Sequence, residues 1–468
     1  MSEKLFNISD FLGVALVSDG EELTYPSLAI AADDVSRNVQ ERDVIFLVAT
    51  NTIEAIEAYV GFIRRRAVVV MIRDETTPEQ FAGLVAAYQP QFIWAPASFI
   101  EEAVEEPFAQ VYASREYRLL ATGFARYAVH PETALLLTTS GSTGTPKFVR
   151  LTYANLLANA QSIAEYQQIT PADRAITTLP FSYSYGISIV NSHLISGASL
   201  AVTEASIMSR DFWNFLKESQ ATNFGGVPYT YAMLERLRFG RMDLPSLRFI
   251  SQAGGRLGER LQKVFADFCA EKGIDFFVMY GQTEATARMS WLPPKDVLNK
   301  LGSIGIAIPG GEFELRDTDD SPILEADVPG ELVYRGPNVS LGYATGKDDL
   351  ANPDENQGVL HTGDIARRDS DGYYYVVGRM KRFLKMFGNR VNMDELEANY
   401  AKRGIEIACV GSDDNMVIFT TGDDCDALLK DVTAQTKLHP SGFKVFHIDE
   451  IPHTASGKVD YVGLEKQC

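Results

Sequence analysis

The sequence predicts an α/β protein: a large N-terminal domain of α/β subdomains with a β-rich subdomain, then a small α+β C-terminal domain. Three observations carry this. Short apolar runs alternate with helix-period segments as far as about residue 300, the pattern of a parallel sheet covered by helices. Beyond that point Gly and Pro become denser and period-2 stretches appear. From about Arg382 a further set of helices and strands follows, set off by the charged GRMKR stretch and not by a Ser/Gly linker. The domains expected are therefore 1–380 and 381–468.

Taken in order, Val44–Ala49 (VIFLVA) reads as a buried strand, Ile53–Arg65 as a helix and Ala67–Ile72 (AVVVMI) as a second strand, together a βαβ unit. Gln91–Ala95 and Ala134–Thr138 read as strands, and Asn155–Gln167 as a helix. Arg248–Ser251 is a strand, Glu259–Lys272 a helix and Phe276–Met279 a strand. The alternating stretches Glu312–Arg316, Glu331–Tyr334 and Tyr373–Val377 predict a smaller antiparallel or mixed sheet. In the last segment Asp394–Lys402 and Asp426–Thr436 read as helices. Ile407–Val410, Val417–Thr420 and Lys444–Ile448 read as strands.

Composition narrows the class. Of 468 residues, 46% are hydrophobic and 22% charged, which excludes a disordered, collagenous or disulfide-stapled chain. Lys+Arg number 43 against Asp+Glu 62, a formal charge of −19, and there is no long basic cluster, so no nucleic-acid partner is expected. The cysteines, Cys269, Cys409, Cys425 and Cys468, form no CxxC pair and read as reduced thiols of a cytoplasmic protein. The N-terminus lacks a signal-peptide pattern and the end, EKQC, is no lipidation signal. No run approaches the roughly 18 apolar residues of a membrane span, so no membrane partner is expected.

Four motifs carry chemistry. The first is Thr138-Thr-Ser-Gly-Ser-Thr-Gly-Thr-Pro-Lys147, after an apolar strand and, on this reading, before a helix. Small residues let backbone N–H groups turn around an anion, the hydroxyls of Ser140, Ser142, Thr143 and Thr145 add donors, and Lys147 supplies charge. This is the composition of a phosphate cradle, without the Gly-Lys-Ser/Thr end of a Walker loop; the bland alternative is a polar loop with no ligand. The second is Met279-Tyr-Gly-Gln-Thr-Glu-Ala285, whose Glu284 carboxylate could hold Mg²⁺ beside a polyphosphate and whose Tyr280 could stack on a ring. Its alternative is a helix N-terminus with an acidic first turn. The third runs from His361-Thr-Gly-Asp364 through Asp371-Gly to Gly378-Arg-Met-Lys-Arg-Phe-Leu-Lys-Met-Phe-Gly-Asn-Arg390. Asp364 could accept two ribose hydroxyls and Arg379 and Arg390 could bind phosphate, or the segment is a hairpin turn and a basic loop. The fourth is Ile451-Pro-His-Thr-Ala-Ser-Gly-Lys458. A lone Lys there matters only if the last domain folds over the site.

In this order the motifs resemble the adenylate-forming (AMP-binding) superfamily of acyl- and aryl-CoA synthetases, nonribosomal peptide adenylation domains and firefly luciferases. The resemblance spans Thr138 to Lys458. It implies a small C-terminal domain that rotates between two half-reactions: a carboxylate and ATP give acyl-AMP and pyrophosphate, then a thiol takes the acyl group. It implies that Thr139, Ser140, Gly141, Ser142, Thr143, Gly144, Thr145 and Lys147 hold the β/γ phosphates, and that Ala253, Gly254 and Gly255 lie against adenine. Tyr280 would flank adenine, Gly281 would belong to the nucleotide site, Thr283 would contact the α-phosphate and Glu284 would hold Mg²⁺. Asp364 would bind ribose with Arg379 beside it, Arg390 would reach the phosphates, and Lys458 would bridge carboxylate and α-phosphate. Lys381 falls at the hinge and Gly388 on the loop lining the thiol tunnel.

The resemblance places the acid pocket around Leu179–Gly186. Tyr183 is at its gate, with Ser184, Tyr185, Phe224, Gly225 and Val227, and further Gly226 and Met289, in its wall. Ser184 stands where amino-acid-activating members carry an aspartate; a serine cannot neutralise an ammonium, which favours an acyl, hydroxy-acyl or aryl acid. Phe148, Tyr153 and Tyr461 depart from the family's usual Gly, His and Arg. The function implied is an ATP-dependent, Mg²⁺-using ligase that joins a small carboxylic acid to CoA, or alternatively to the phosphopantetheine of an acyl or peptidyl carrier protein. A nucleotide-binding protein without ligase activity is the second alternative. Arg382 and Lys385 are the candidate docking cations for the acceptor.

Overall fold

The computed structural model describes residues 6–18, 20–104, 107–138, 147–454 and 458–467, and within them not the side chains of residues 381, 383 and 390. The first βαβ unit is as expected: Val44–Ala49, buried throughout, pairs in parallel with Val68–Arg73, and the helix Ile53–Arg64 connects them. Thr52 caps that helix by accepting from the Ala55 N–H. Thr133–Thr138 and Phe92–Pro96 extend the parallel core, and antiparallel margins complete an eight-stranded sheet. Fully buried strands account for the uninterrupted apolar runs in the sequence.

A second, nine-stranded sheet has a parallel centre in which Asn223–Gly226, Phe249–Gln252 and Asp275–Tyr280 lie side by side. Their C-terminal ends therefore open on one edge, where α/β sheets bind ligands. The helices Ile53–Arg64, Tyr153–Tyr166 and Ser184–Ile195 share one core with Ile45 and Leu47 of the first sheet and Leu200, Phe249 and Phe277 of the second. Helix Ser184–Ile195 is buried as far as Leu194, as a helix held between two layers must be.

The β-rich part is a four-stranded antiparallel sheet of Glu312–Arg316, Gly330–Arg335, Val359–Arg368 and Tyr374–Arg379. Asp371-Gly372 turns between its last two strands, with Gly372 at φ +89°. The smaller C-terminal domain follows the short 3-10 turn Met380–Arg382. A hairpin of Phe383–Met386 and Asn389–Asn392, the helices Met393–Lys402 and Cys425–Thr436, and a three-stranded sheet enclose Met386, Leu396, Tyr400, Ile418 and Val432. In the hairpin turn Phe387 and Gly388 both have positive φ, 51° and 81°, the left-handed pair that a two-residue turn requires.

Two expectations are corrected. The cradle segment does not run from strand into helix: Lys147 leads into the strand Phe148–Thr152, which pairs antiparallel with Thr133–Thr138, and the helix begins only at Tyr153. Phe148-Val-Arg-Leu-Thr is buried at all five positions, and Phe148 packs its ring edge against Tyr88, so burial favours a strand. Arg382 is no docking cation. Its guanidinium donates to Asp394 and Glu397, each at 2.5 Å, and lies 3.7 Å over the Tyr461 ring.

Candidate active site

The edge at which the parallel strands end supplies most of the site. Strand Asp275–Tyr280 passes through Gly281 into a single 3-10 turn, Thr283–Ala285, and returns as the antiparallel strand Ser290–Leu292. Gly281 is required there, because a Cβ would stand 1.8 Å from the Ala287 carbonyl oxygen. Asp364 comes from the antiparallel sheet and meets this turn. Its Oδ2 accepts from the Tyr280 hydroxyl and from Gln282 Nε2 at 3.0 Å. Its Oδ1 accepts from Arg379 Nε at 3.0 Å, across the register pair Asp364–Arg379. Burial, and then the Asp364 charge, hold the Tyr280 phenol far above its ordinary pKa, so it remains a donor.

Glu284 is tied to the cradle by one tyrosine. The Tyr343 hydroxyl donates to Glu284 Oε1 at 2.7 Å, and Lys147 Nζ sits 3.7 Å over the Tyr343 ring. Tyr343 is placed by pairing with Val149 of the strand that follows Lys147. Lys458 enters from the C-terminal domain on a return held by the Thr454 N–H donating to its carbonyl oxygen at 2.7 Å and by the His453–Val459 bridge. Burial lowers its pKa to about 8, with the Arg379 charge adding to that and Glu284 and Asp364 opposing it. The lysine thus stands among the groups that the other motifs bring together.

The acid-pocket residues divide. Thr283 Oγ1 donates to Ser184 Oγ at 3.2 Å, joining the pocket to the nucleotide turn. A Cβ on Gly254, at φ +84°, would stand 2.6 Å from the Tyr183 hydroxyl, and one on Gly225 2.9 Å from the Tyr185 hydroxyl. Val227 is the next neighbour of Gly254, at 3.0 Å. Ala253 and Gly255 continue the same strand end, where Gln252 Nε2 donates to the Gly255 carbonyl at 2.8 Å. Phe224 is corrected: strand alternation sends it to the other face of the sheet, into the core with Phe239, Leu234 and Tyr231. Tyr229 is 47% exposed and stacks near His453 of the C-terminal domain.

Thr139, Ser140, Gly141, Ser142, Thr143, Gly144 and Thr145 lie outside the described residues, as do the side chains of Lys381 and Arg390. Three participants escaped sequence reasoning: Gln282, Tyr343 and Arg288. Gln282 was flanked by named residues and Tyr343 stood isolated in LGYATG. Arg288 had the one available signal, a charge inside the otherwise uncharged stretch ATARMSWL.

A carboxylate held by a tyrosine beside a lysine, an aspartate fixed by Tyr280 and Arg379, and a half-buried lysine from the C-terminal domain fit the class of protein that comparison with known proteins shows. The chain belongs to the AMP-binding enzyme family, whose model matches residues 13–344. Among similar proteins, a probable CoA ligase of Humulus lupulus, CCL9, is 28% identical over 95% of this chain and 91% of its own length. Oxalate–CoA ligase of Arabidopsis thaliana is 27% identical over 90% and 87%. The solved O-succinylbenzoate CoA synthetase (MenE) of Bacillus subtilis with AMP has a TM-score of 0.77 at 22% identity, over 97% of this chain and 96% of that one, which establishes the fold.

Proposed function

We propose that this enzyme is an ATP-dependent carboxylic acid ligase that forms an acyl-adenylate and pyrophosphate and then transfers the acyl group to the thiol of CoA. The observation that carries the reading is the placement of the half-buried Lys458 within the electrostatic reach of Glu284, Asp364 and Arg379. The nucleophile is a carboxylate, ionised at neutral pH, so no general base is needed. What is needed is positive charge where two anions meet, and Lys458 and Arg379 supply it. The carboxylate oxygen attacks the α-phosphorus, the bond to pyrophosphate breaks, and the thiol later displaces AMP from the acyl carbon. Asp364, held by Arg379 and Tyr280, offers its oxygens to ribose hydroxyls, and Thr283 orients the α-phosphate.

Among the described residues no three His, Cys, Asp or Glu side chains gather as a metal cage. Glu284, held by Tyr343 beside Lys147, suits Mg²⁺ carried by phosphates and one carboxylate. Bound there, the ion would supply charge neutralisation. On this reading the hinge lies at Lys381, dividing 1–380 from 381–468, Gly388 lines the thiol path and Arg390 reaches the phosphates. No helix among the described residues is long and apolar enough to cross a membrane. The buried free thiols Cys269 and Cys409 support a reducing, cytoplasmic setting.

The test is pyrophosphate exchange across carboxylic acids, followed by thioester formation with CoA against a phosphopantetheinylated carrier protein. AMP and pyrophosphate are the expected products, with CoA the better acceptor. ADP and phosphate would sink the mechanism. Preference for the carrier would move the acceptor, and ATP binding without exchange on any acid would leave only a nucleotide-binding protein.

A further inference from the structure

Arg288 is 1% exposed, and among the described residues its Nε and Nη2 have no hydrogen-bond partner. Its Nη1 reaches only the Tyr166 hydroxyl and the Met279 sulfur, both at 3.2 Å. Among the described residues no carboxylate lies within ion-pairing distance of it. A guanidinium cannot shed its charge, and burying it uncompensated is heavily unfavourable. The Arg288 backbone is pinned. Asn159 Nδ2 and Asn338 Nδ2 donate to the Arg288 carbonyl at 2.9 and 3.2 Å, and the Met289 N–H donates to Tyr280.

The position is informative. Arg288 lies on the return of the turn that carries Thr283 and Glu284, and a Cβ on Gly281 would be 2.7 Å from its Cα. Its guanidinium is 4.7 Å over the ring of Tyr185, next in the chain to Ser184, which Thr283 bonds. Among the described residues two further groups lack a partner, Ser162 Oγ and Asn159 Oδ1, and these residues share the helix face with Tyr166 at i, i+3 and i+7 spacing. An anion with one bridging water would satisfy the arginine, the serine and the asparagine together.

We infer that Arg288 is a specificity-determining residue for a second anionic group, carboxylate or sulfonate, on a short acid whose other carboxylate reacts at Thr283 and Lys458. The chain is short because Tyr183 and Tyr185 close over Gly254 and Gly225. This rests on the ligase reading and adds the substrate class to it. The test is pyrophosphate exchange with malonate, succinate and 3-sulfopropionate against butyrate and valerate, using the full chain. The expected result is a preference in kcat/KM of at least about 100-fold for acids with a second anion, the discrimination a buried unpaired site imposes. The dicarboxylate and sulfonate arms tell which anion is taken. Arg288→Met is expected to raise KM for those acids by about as much while keeping the rise in melting temperature caused by ATP, which shows that the variant folds. Arg288→Lys should recover part of the loss. Equal or better exchange with butyrate or valerate overturns the subsite and leaves the ligase intact; no exchange with any acid overturns both.

Discussion

At Lys458 burial works against charge, and the direction of the pH effect follows. Its pKa falls from the ordinary 10.5 to about 8, so the cation that adenylation needs is present below about pH 8 and lost above it. The adenylation rate is expected to decline on the alkaline side with an apparent pKa near 8 in the free enzyme, read from kcat/KM for ATP in exchange assays. The fold responds oppositely. A lysine whose pKa is depressed on folding destabilises the native state at neutral pH, and that penalty is relieved as pH rises from 8 toward 10.5. Lys458→Met should therefore lose adenylation by on the order of 100-fold or more without any fall in melting temperature at pH 7. A lower melting temperature would mean that the lysine is structural. Lys458, Asp364 and Glu284 were legible because each sits in a short motif whose residue types match the charge they must meet. Arg288 was not, because its one signal, a lone charge in ATARMSWL, does not show that among the described residues its Nε and Nη2 lack a partner.

At the scale of elements the βαβ unit, the helix Glu259–Lys272 and the period-2 strands were readable, since burial on one or both faces writes directly into hydrophobic order. The strand Phe148–Thr152 was not, because a run this short carries no usable period and the preceding Ser/Thr/Gly loop argued for a helix start. Phe148 is fully buried against Tyr88, and Phe148→Ala is expected to cost about 3–5 kcal/mol, measurable by urea unfolding. Gly281→Ala is the sharper case. With 1.8 Å between the new Cβ and the Ala287 oxygen, the return turn must open, moving Thr283, Glu284 and Arg288 together. Exchange activity should fall for every acid alike, and a loss confined to one substrate class would contradict this. Phe224 shows the limit of reading a pocket by chain position: neighbours on a strand face opposite ways.

For the whole molecule the decisive relation is between the two domains. Tyr229 and His453 have ring centroids 6.0 Å apart across them. Cysteines at both positions, joined by a short bifunctional linker, should leave pyrophosphate exchange largely intact and block thioester formation. Equal loss of both half-reactions would argue against rotation about Lys381. The C-terminal domain is fit to move as a unit, with its own core and with Arg382 locked to Asp394, Glu397 and Tyr461. Within a chain of formal charge −19, two cations, Arg379 and Arg73, act on Lys458, with Glu284 and Asp364 opposing them. On the proposed ligase reading, a triphosphate would add to the counter-charge of Glu284 and Asp364, and departing pyrophosphate would take that addition away. On the same reading, the repulsion of Lys458 by Arg379 and Arg73 would then be opposed by Glu284 and Asp364 alone, an electrostatic spring that leaving-group loss would set against the domain carrying Lys458.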